Sequence, residues 1–484
     1  MVIVPDWLRL QARAHGERVA VIVPGQTPLT WAALDQRVTA LAAALRAAGV
    51  DDNVRIGALL HNGPDLLALI LAAPRLRAPL VLLDPRETRD EVARAIARTG
   101  VQLVVAPADA APSGVAWLPP EIRAPPHEAA PPTLDLATTH TVVFTSGTSG
   151  SPKPIALSLR NHLWSALGHA WRIGLRPDDR WLACLPLWHV GGLAIVLRSV
   201  LAGSAILLHQ RFDPEAIARS LHEDHPTLIS LVPTMLRRLL AARVPAMTLR
   251  AALVGGAAAS PALLKEAVAA RWPVAPTYGS TETASQVATL PPHDPRIREG
   301  SVGLPLVGTR IRIVDATGRV LPPGESGEIQ VRGPTISAGM VEPDGGLVPM
   351  VMADGWLPMP DLGHLAPDGS LRVLGRRDDI IVTGGENVAP GEIEDALARL
   401  PEVLDVAVAA VPDAEWGQVV GAWIVPRGET APSLEGVRAA MQGILASYKL
   451  PRRLFVVDAL PRTAAGKLRR SLLARLHARS VSRR

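Results

Sequence analysis

The sequence predicts an α/β protein with additional α+β elements, built from a large N-terminal domain and a small C-terminal domain. Its first half alternates helical and strand periodicities, a pattern typical of layered folds with parallel strands. After about position 300 the pattern changes to short strands separated by Gly and Pro turns. We therefore expect layered α/β subdomains and a β-rich subdomain over 1–377, followed by a small α/β domain over 378–484.

The elements of the first half follow from the spacing of apolar residues. Leu34, Val38, Leu41 and Leu45 recur at three- and four-residue intervals and predict a helix over 31–48. Strands are predicted at 54–60, 79–83, 101–106 and 141–144, and helices at 65–73 and 87–99. The Ala- and Pro-rich positions 110–132 predict a connecting loop, and further α/β units are predicted over 181–277.

The second half of the chain has a different pattern of predicted elements. Antiparallel strands are predicted at 309–320, 327–331 and 370–374, and the C-terminal domain is predicted to contain helices 390–400 and 433–445 and strands 403–411 and 419–425. No tandem repeat of fixed period interrupts this order.

The composition excludes several classes of protein. A chain of 484 residues that is 48% hydrophobic is not wholly disordered, and its one cysteine excludes a disulfide framework or a multi-cysteine metal site. We expect that residue, Cys184, in the core. Asp6 and Arg9 interrupt the first apolar residues, unlike a signal peptide, and the longest apolar run, 66–74, is far shorter than the ~20 residues of a membrane span. We expect a cytoplasmic protein.

The positive net charge of +5 belongs to the end of the chain. Without the last seven basic residues, 43 basic residues face 45 acidic ones. Aromatic residues make up only 3% of the chain, so a nucleic-acid groove is not expected. Two interpretations of the tail remain open: a solvated amphipathic helix end, or a site for a polyanionic small ligand.

A turn rich in Thr, Ser and Gly after the strand at 141–144 is the strongest local indication of a binding site. Glycines and hydroxyls allow a backbone to approach phosphate oxygens closely, and Lys153 adds a positive charge. Pro152 before this lysine excludes a Walker A loop. The alternative is a flexible surface turn. The candidate phosphate-binding residues are Thr145, Ser146, Gly147, Thr148, Ser149, Gly150 and Lys153.

Six segments in order resemble the acyl-adenylate-forming enzymes, which include acyl- and aryl-CoA synthetases, luciferases and peptide-synthetase adenylation domains. The resemblance spans nearly the whole chain. It rests on the turn at 145–154, on Tyr278-Gly279-Ser280-Thr281-Glu282, on the segment at 300–305, on Trp356 with Asp361, on the segments at 375–379 and 384–387, and on the stretch from Pro461 to Lys467. The resemblance implies ATP, Mg²⁺ and coenzyme A as ligands and a mobile C-terminal lid domain.

Chemistry and the resemblance assign roles to individual residues. Mg²⁺ takes one or two carboxylates plus substrate phosphates, which suits Glu282. Lys467, in a small-residue loop, is expected to stabilise the charge that develops on the phosphates. A solvated loop glutamate and a solvated tail lysine are the alternatives. The resemblance also implies a ribose site (Asp361, Arg376), an adenine site (Gly255, Gly256, Ala257), further nucleotide-binding residues (Tyr278, Gly279, Thr281), a hinge (Asp378) and a segment that closes over the CoA step (Gly384, Gly385).

The acid pocket is predicted around His189, Arg198, Ser280 and Ser285. His189 is either a packed aromatic-like residue or, as the resemblance suggests, a gate between acid and thiol. Arg198 lies in an apolar helical stretch and needs an anion, which is either an internal carboxylate or a second carboxylate of the substrate. The surrounding segments resemble one subfamily, the o-succinylbenzoate–CoA ligases of menaquinone biosynthesis, whose substrate is a dicarboxylate.

The resemblance therefore implies an AMP-forming acid–CoA ligase that acts through an acyl-adenylate, with o-succinylbenzoate as the expected acid and menaquinone biosynthesis as the expected pathway. No nucleic acid partner and no membrane span are expected, and homo-oligomers are left open. A medium-chain or aromatic acyl-CoA synthetase, an adenylation module that loads a carrier protein, and a non-catalytic nucleotide-binding relative are the alternatives. Two departures from the family pattern bear on nucleotide affinity: Met359-Pro360 before Asp361, and Pro154 after Lys153.

Overall fold

A computed structural model describes residues 2–52, 54–125, 133–145, 152–383, 386–413, 415–428, 431–462, 468–476 and 479–480. The α-helices of this part of the chain are α1 (Trp7–His15), α2 (Trp31–Ala47), α3 (Pro64–Leu76), α4 (Arg89–Thr99), α5 (Leu159–Ile173), α6 (Val190–Ala202), α7 (Pro214–Glu223), α8 (Pro233–Ala241), α9 (Pro261–Ala269), α10 (Pro390–Leu397) and α11 (Leu434–Met441). Short 3-10 helices include Thr281–Thr283, Arg377–Asp379 and Arg470–Arg475.

The strands follow in chain order. They are β1 (Ile3–Pro5), β2 (Val19–Ile22), β3 (Leu29–Thr30), β4 (Ile56–Ala58), β5 (Leu80–Leu82), β6 (Leu103–Val105), β7 (Ala116–Leu118), β8 (Thr133–Asp135), β9 (Thr139–Phe144), β10 (Pro154–Ser158), β11 (Arg180–Ala183), β12 (Ala205–Leu208), β13 (Leu228–Leu231), β14 (Ala251–Val254), β15 (Val274–Tyr278), β16 (Ala288–Thr289), β17 (Ser301–Pro305), β18 (Arg310–Val314), β19 (Gly327–Arg332), β20 (Gly339–Val341), β21 (Leu347–Val348), β22 (Leu357–Leu365), β23 (Leu371–Arg376), β24 (Ile381–Thr383), β25 (Glu386–Val388), β26 (Val403–Asp413), β27 (Gly417–Pro426), β28 (Arg453–Val456) and β29 (Arg479–Ser480).

Two large sheets form the N-terminal part of the described chain. One has the strand order β21-β20-β10-β9-β5-β4-β6-β7, and strands β9, β5, β4, β6 and β7 run parallel. The other begins with β3 and the parallel strands β2, β12, β11, β13, β14 and β15, and continues through the antiparallel strands β16, β17, β23, β22, β19 and β18. The mixed α/β class and the change to antiparallel strands near position 300 are confirmed.

The C-terminal part has its own sheet and core. Strands β24 to β29 form this sheet, in which the long hairpin β26–β27 pairs from Val403 with Pro426 to Asp413 with Gly417, with one register shift between Val403 and Asp405. α10 and α11 cover it with buried residues such as Ile393, Leu397 and Val437, all 0% exposed. The C-terminal part of the described chain therefore has a hydrophobic cluster made of its own residues.

Local sequence explains where the helices begin. Thr88 and Ser158 cap α4 and α5, and each pairs reciprocally with the third helical residue, Glu91 or Asn161. Asp213 caps α7 by accepting from Glu215 N and Ala216 N. These caps satisfy backbone donors that would otherwise have no partner at a helix start.

The structure corrects several predicted boundaries. The predicted loop 110–132 contains strand β7, which pairs in parallel with β6. The predicted helix 433–445 ends at Met441, because the next residue, Gln442, has an extended backbone with a φ of −65° and a ψ of 131°. The predicted helix 390–400 ends at Leu397, shortly before Pro401. The predicted strand 309–320 ends at Val314, because Asp315 accepts from Thr317 N and Arg319 N and forms a turn.

Among the described residues, no helix combines the length and the hydrophobicity that a membrane crossing needs. Cys184 lies in the core as expected, at 2% exposure, and burial raises the pKa of its thiol to about 12. The thiol is therefore protonated at neutral pH and is not a nucleophile.

A buried ion-pair network holds the first helix onto the domain. The side chain of Arg75, 1% exposed, donates from Nε to Asp6 Oδ2 at 2.7 Å, from Nη1 to Thr39 Oγ1 at 2.8 Å and from Nη2 to Asp35. Asp6 also caps α1 by accepting from Arg9 N. The network joins α1, α2 and α3 through groups far apart in the sequence.

We expect Arg75→Met to destabilise the N-terminal part by about 3–5 kcal/mol, because it leaves the buried carboxylate of Asp6 without its cation and leaves the partly buried Asp35 with Arg9 alone. Urea unfolding followed by tryptophan fluorescence measures this loss. Arg319→Ala is the control, since Arg319 is 72% exposed in its pair with Asp315 and its loss should cost no more than ~1 kcal/mol. Equal stability of the two variants would contradict the prediction.

Candidate active site

The candidate residues collect at the carboxyl edge of the parallel strands, where open α/β sheets bind their ligands. Gly255 follows β14, Tyr278 ends β15, and His189 follows β11 after a short turn. A Cβ on Gly255 would lie 2.6 Å from Thr277 Cγ2, so only glycine fits between these two strands. Gly256 has a φ of +77° and turns the chain away from the edge towards Ala257.

The phosphate-loop candidate leaves β9 and returns as β10, and the base of this loop is closed. Thr145 N donates to Lys153 O at 3.0 Å, and Lys153 N donates to Thr145 Oγ1 at 3.2 Å. The side chain of Lys153 is exposed. Ser146, Gly147, Thr148, Ser149 and Gly150 lie outside the described residues.

A tight loop at 279–285 carries Ser280, Thr281, Glu282 and Ser285. A Cβ on Gly279 would lie 1.6 Å from Ser285 O, so this position requires glycine. The backbone oxygen of Glu282 accepts from Ser337 N at 2.8 Å, and the neighbouring Ala338 N donates to Ala156 O on β10. Glu282 is thereby held beside the strand that leaves the phosphate-loop candidate.

Asp361 and Arg376 face each other across the β22–β23 ladder, in register. Arg376 Nε lies 3.9 Å from Asp361 Oδ1, and Tyr278 donates its hydroxyl to Asp361 Oδ2 at 2.8 Å. Burial and then the charge of Asp361 raise the pKa of Tyr278 well above its ordinary value. The tyrosine therefore stays a hydrogen-bond donor, and these three predicted nucleotide-binding residues form one group.

His189 lies at the start of α6, in a turn that Asn62 holds. Asn62 Nδ2 donates to Leu185 O at 2.9 Å and His209 O at 3.1 Å, and its Oδ1 accepts from Leu187 N at 2.8 Å. The sequence interpretation missed Asn62. Its place after strand β4, in a His-Asn-Gly turn, was the available signal.

Trp188, next to His189, contacts a charged pair, Arg86 and Asp84, to which the sequence interpretation assigned no role in the site. The guanidinium of Arg86 lies 5.1 Å from the Trp188 ring centroid and donates twice to Asp84, at 2.8 and 2.6 Å. Burial opposes ionisation of Asp84, but the hydrogen bonds and charge of Arg86 outweigh it, so the pKa of Asp84 is lowered. This carboxylate adds a negative charge close to His189.

Arg198 lies on α6 with its guanidinium buried, and the residue is 3% exposed. Its Nη2 donates to Ser165 Oγ at 3.1 Å, its Cζ lies 5.8 Å from the Trp181 ring centroid, and its Nε has no hydrogen-bond partner. Among the described residues no carboxylate forms a salt bridge with Arg198, so the internal-carboxylate alternative finds no support there. Burial lowers its pKa to about 9, which leaves it charged at neutral pH.

The predicted hinge residue Asp378 lies in the 3-10 helix Arg377–Asp379, between β23 and the C-terminal sheet. Its side chain is 70% exposed. The preceding Arg377 pairs with Glu328 on β19, with Nη1 and Oε2 2.7 Å apart. Lys467, Gly384 and Gly385 lie outside the described residues. Within the described part, no group of three or more His, Cys, Asp or Glu side chains forms a metal cage.

Comparisons with known proteins agree with this arrangement. Residues 8–341 match the profile described as AMP-binding enzyme, and residues 392–467 match its C-terminal domain. A 2-succinylbenzoate–CoA ligase of Bacillus licheniformis is 36% identical over 97% of this chain and 99% of that protein.

Two solved structures of the Bacillus subtilis o-succinylbenzoate CoA synthetase share 32% identity with the chain. The complex with the acyl-adenylate intermediate OSB-AMP has a TM-score of 0.89 and covers 98% of both chains. The complex with ATP and magnesium ion has a TM-score of 0.88 and covers 98% of this chain and 100% of that one. The chain belongs to the AMP-binding enzyme family.

Proposed function

We propose that the chain is an AMP-forming acid–CoA ligase that converts o-succinylbenzoate, ATP and CoA into o-succinylbenzoyl-CoA, AMP and diphosphate. The similarity of the chain to CoA ligases supports the reaction type. The assignment of the substrate depends on Arg198, whose guanidinium is buried. Its Nε has no hydrogen-bond partner, and no described carboxylate neutralises its charge. A dicarboxylic acid leaves one carboxylate to pair with such a cation after the other has been activated.

In the first step, an oxygen of the substrate carboxylate attacks the α-phosphorus of ATP. The bond from that phosphorus to the bridging oxygen breaks, and diphosphate leaves with the electron pair. Lys467 and Lys153 stabilise the negative charge on the phosphate oxygens, and Asp361 with Arg376 holds the ribose. The glycine edge at Gly255–Gly256 and the ring of Tyr278 enclose the base.

Glu282 fits a magnesium role. Its side chain forms no hydrogen bond or ion pair with another described residue, and its backbone lies beside the strand that leaves the phosphate loop. One carboxylate plus nucleotide phosphates is the donor set that Mg²⁺ accepts. When bound, the ion offsets phosphate charge, while Glu282 provides its protein ligand.

In the second step the thiolate of CoA attacks the acyl carbonyl, and AMP leaves with the electrons of the mixed-anhydride bond. We assign 1–377 to the acid- and ATP-binding domain and 378–484 to a lid that rotates about Asp378 and brings the segment of Gly384 and Gly385 to the site. The separate C-terminal core and the exposed Asp378 support this division. His189 acts as the gate between the acid and the thiol.

The proposal extends to the setting of the reaction. We place the enzyme in the cytoplasm and in menaquinone biosynthesis, where a dicarboxylic aromatic acid has to be activated before further chemistry. The sequence leaves homo-oligomers open, and analytical ultracentrifugation measures whether copies of the chain associate.

Diphosphate release with MgATP tests the function directly. The panel is o-succinylbenzoate, benzoate, a medium-chain fatty acid and an amino acid, each with and without CoA. We expect strong release only with o-succinylbenzoate, followed by formation of its CoA thioester. Turnover of the monocarboxylates at rates similar to that of o-succinylbenzoate would indicate a general acyl-CoA synthetase, and turnover of the amino acid without transfer to CoA would indicate a carrier-loading module. Either result would overturn the proposal.

A further inference from the structure

The loop at 279–285 has a strained backbone, because two residues with side chains adopt conformations that favour glycine. Ala284 and Ser285 have φ angles of +51° and +97°, although neither is glycine. Such conformations cost on the order of 1–3 kcal/mol each and persist only where the surrounding structure holds them. Since this loop carries Glu282 and Ser280, the groups that hold it have a bearing on the site.

Gln286 follows the loop directly and ties its two ends together. Its Nε2 donates to Thr277 Oγ1 on β15 at 3.0 Å and to Thr289 Oγ1 on β16 at 3.1 Å. The two hydroxyls are 2.8 Å apart, and Thr277 Oγ1 also donates to Ala288 O at 3.1 Å. One buried amide therefore joins the strand that enters the loop to the strand that leaves it.

His169 on α5 fixes the orientation of that amide. Its Nδ1 lies 3.0 Å from Gln286 Oε1, and both residues are buried, at 0% and 3% exposure. Because the amide nitrogen already donates to two hydroxyls, its oxygen faces the histidine, and Nδ1 carries the proton. A reversed amide would present a donor to Nδ1 and only one acceptor to the two threonines.

The environment keeps His169 in this neutral form. Burial, and then the charge of Arg198, lower its pKa well below the ordinary value, while the hydrogen bond that His169 donates to Gln286 Oε1 opposes the shift. His169 packs against Trp181 with ring centroids 4.9 Å apart, and Arg198 lies over the same ring. The histidine therefore stands between the proposed acid-recognition residue and the loop.

We propose that His169 and Gln286 are positioning residues that hold the loop at 279–285 in the shape that MgATP binding and adenylate formation require. The proposal rests on the proposed function, because that function places Glu282 and Ser280 at the reacting groups. Neither His169 nor Gln286 touches the substrate. They act through the hydrogen bonds that tie β15, β16 and α5 together around the loop.

The first test compares variants that remove the bonds with one that keeps the essential donor. Gln286→Leu should weaken MgATP binding by roughly 10-fold, measured by calorimetry without acid, and slow diphosphate release by about 10- to 100-fold, since a lost partner leaves buried polar groups unsatisfied. His169→Leu should show a loss of about 10-fold. His169→Asn, which places an amide donor near the position of Nδ1, should remain within about threefold of the wild type.

A stability control separates positioning from general weakening of the fold. Leu228→Ala removes a side chain that is 0% exposed at the amino end of β13, away from the carboxyl edge. We expect it to lower the melting temperature but to leave both MgATP affinity and diphosphate release unchanged well below that temperature. Loss of affinity in Leu228→Ala as large as in Gln286→Leu would overturn the positioning role.

Two further results would also overturn it: wild-type affinity and rates in Gln286→Leu, or equal defects in His169→Asn and His169→Leu. The calorimetric arm keeps this proposal distinct from the proposed function. If the wild type binds MgATP but activates none of the acids in the panel, the proposed function fails. The affinities of the His169 and Gln286 variants for MgATP then still decide whether these residues hold the loop.

Discussion

Arg198→Met should lower kcat/KM for o-succinylbenzoate by about 30- to 3000-fold, the range that corresponds to truncating one partner of a buried charge pair. Activity with benzoate, however weak, should change by less than about threefold, because that acid has no second carboxylate to lose a partner. Steady-state diphosphate release with both acids measures the difference.

The stability of the same variant gives an independent readout. Arg198 is a buried cation without a carboxylate partner among the described residues, and replacing such a charge by an apolar side chain of similar length is neutral or stabilising. We therefore expect Arg198→Met to melt at or above the wild-type temperature while its activity falls.

Arg198→Lys is the matched control for charge. It keeps the cation but loses the planar fork that binds a carboxylate through two donors, so its activity should lie between those of the wild type and Arg198→Met. Equal losses with the dicarboxylate and the monocarboxylate would assign Arg198 to the fold and remove the main argument for o-succinylbenzoate.

Lys467→Ala should slow the formation of acyl-adenylate by about 10²- to 10³-fold, the usual effect of removing one group that stabilises transition-state charge. Thioester formation from supplied acyl-adenylate and CoA should fall by less than about 10-fold, because in the proposed mechanism Lys467 serves only the first step. Quenched-flow measurement of each half-reaction distinguishes the two effects.

Lys449→Ala provides the control on the same C-terminal part. Lys449 Nζ lies 2.6 Å from Glu392 Oε2 in a partly exposed pair, and its removal should leave both half-reactions unchanged. If Lys467→Ala reduced both half-reactions equally, the assignment of Lys467 to the first step alone would be wrong, and so would the rotation of the lid between the two steps.

The order of elements and the family were readable from local patterns. The helix predicted at 31–48 is observed as Trp31–Ala47, and the strand predicted at 141–144 is observed as Thr139–Phe144. Short motifs after strands indicated the AMP-binding family, and the relatives confirm that prediction. These features depend on residues a few positions apart, whose spacing is visible in the sequence.

Boundaries in weakly patterned segments were not readable in the same way. Strand β7 lies in a segment whose Ala and Pro content predicted a loop, and it forms because β6 offers a free edge to pair with. The early ends of α10 and α11 depend on single residues near the helix terminus, where propensity differences of about 1 kcal/mol decide the outcome.

The class of fold, the family and the residue types available for phosphate, ribose and acid binding were readable from the sequence. Which of these residues support one another depends on how distant segments of the chain pack together. His169 and Gln286 are 117 positions apart, and Asp6 and Arg75 are 69 apart. Their bonds exist because helices and strands from distant parts of the chain pack together, and the cost of burying polar groups then selects the partners within reach.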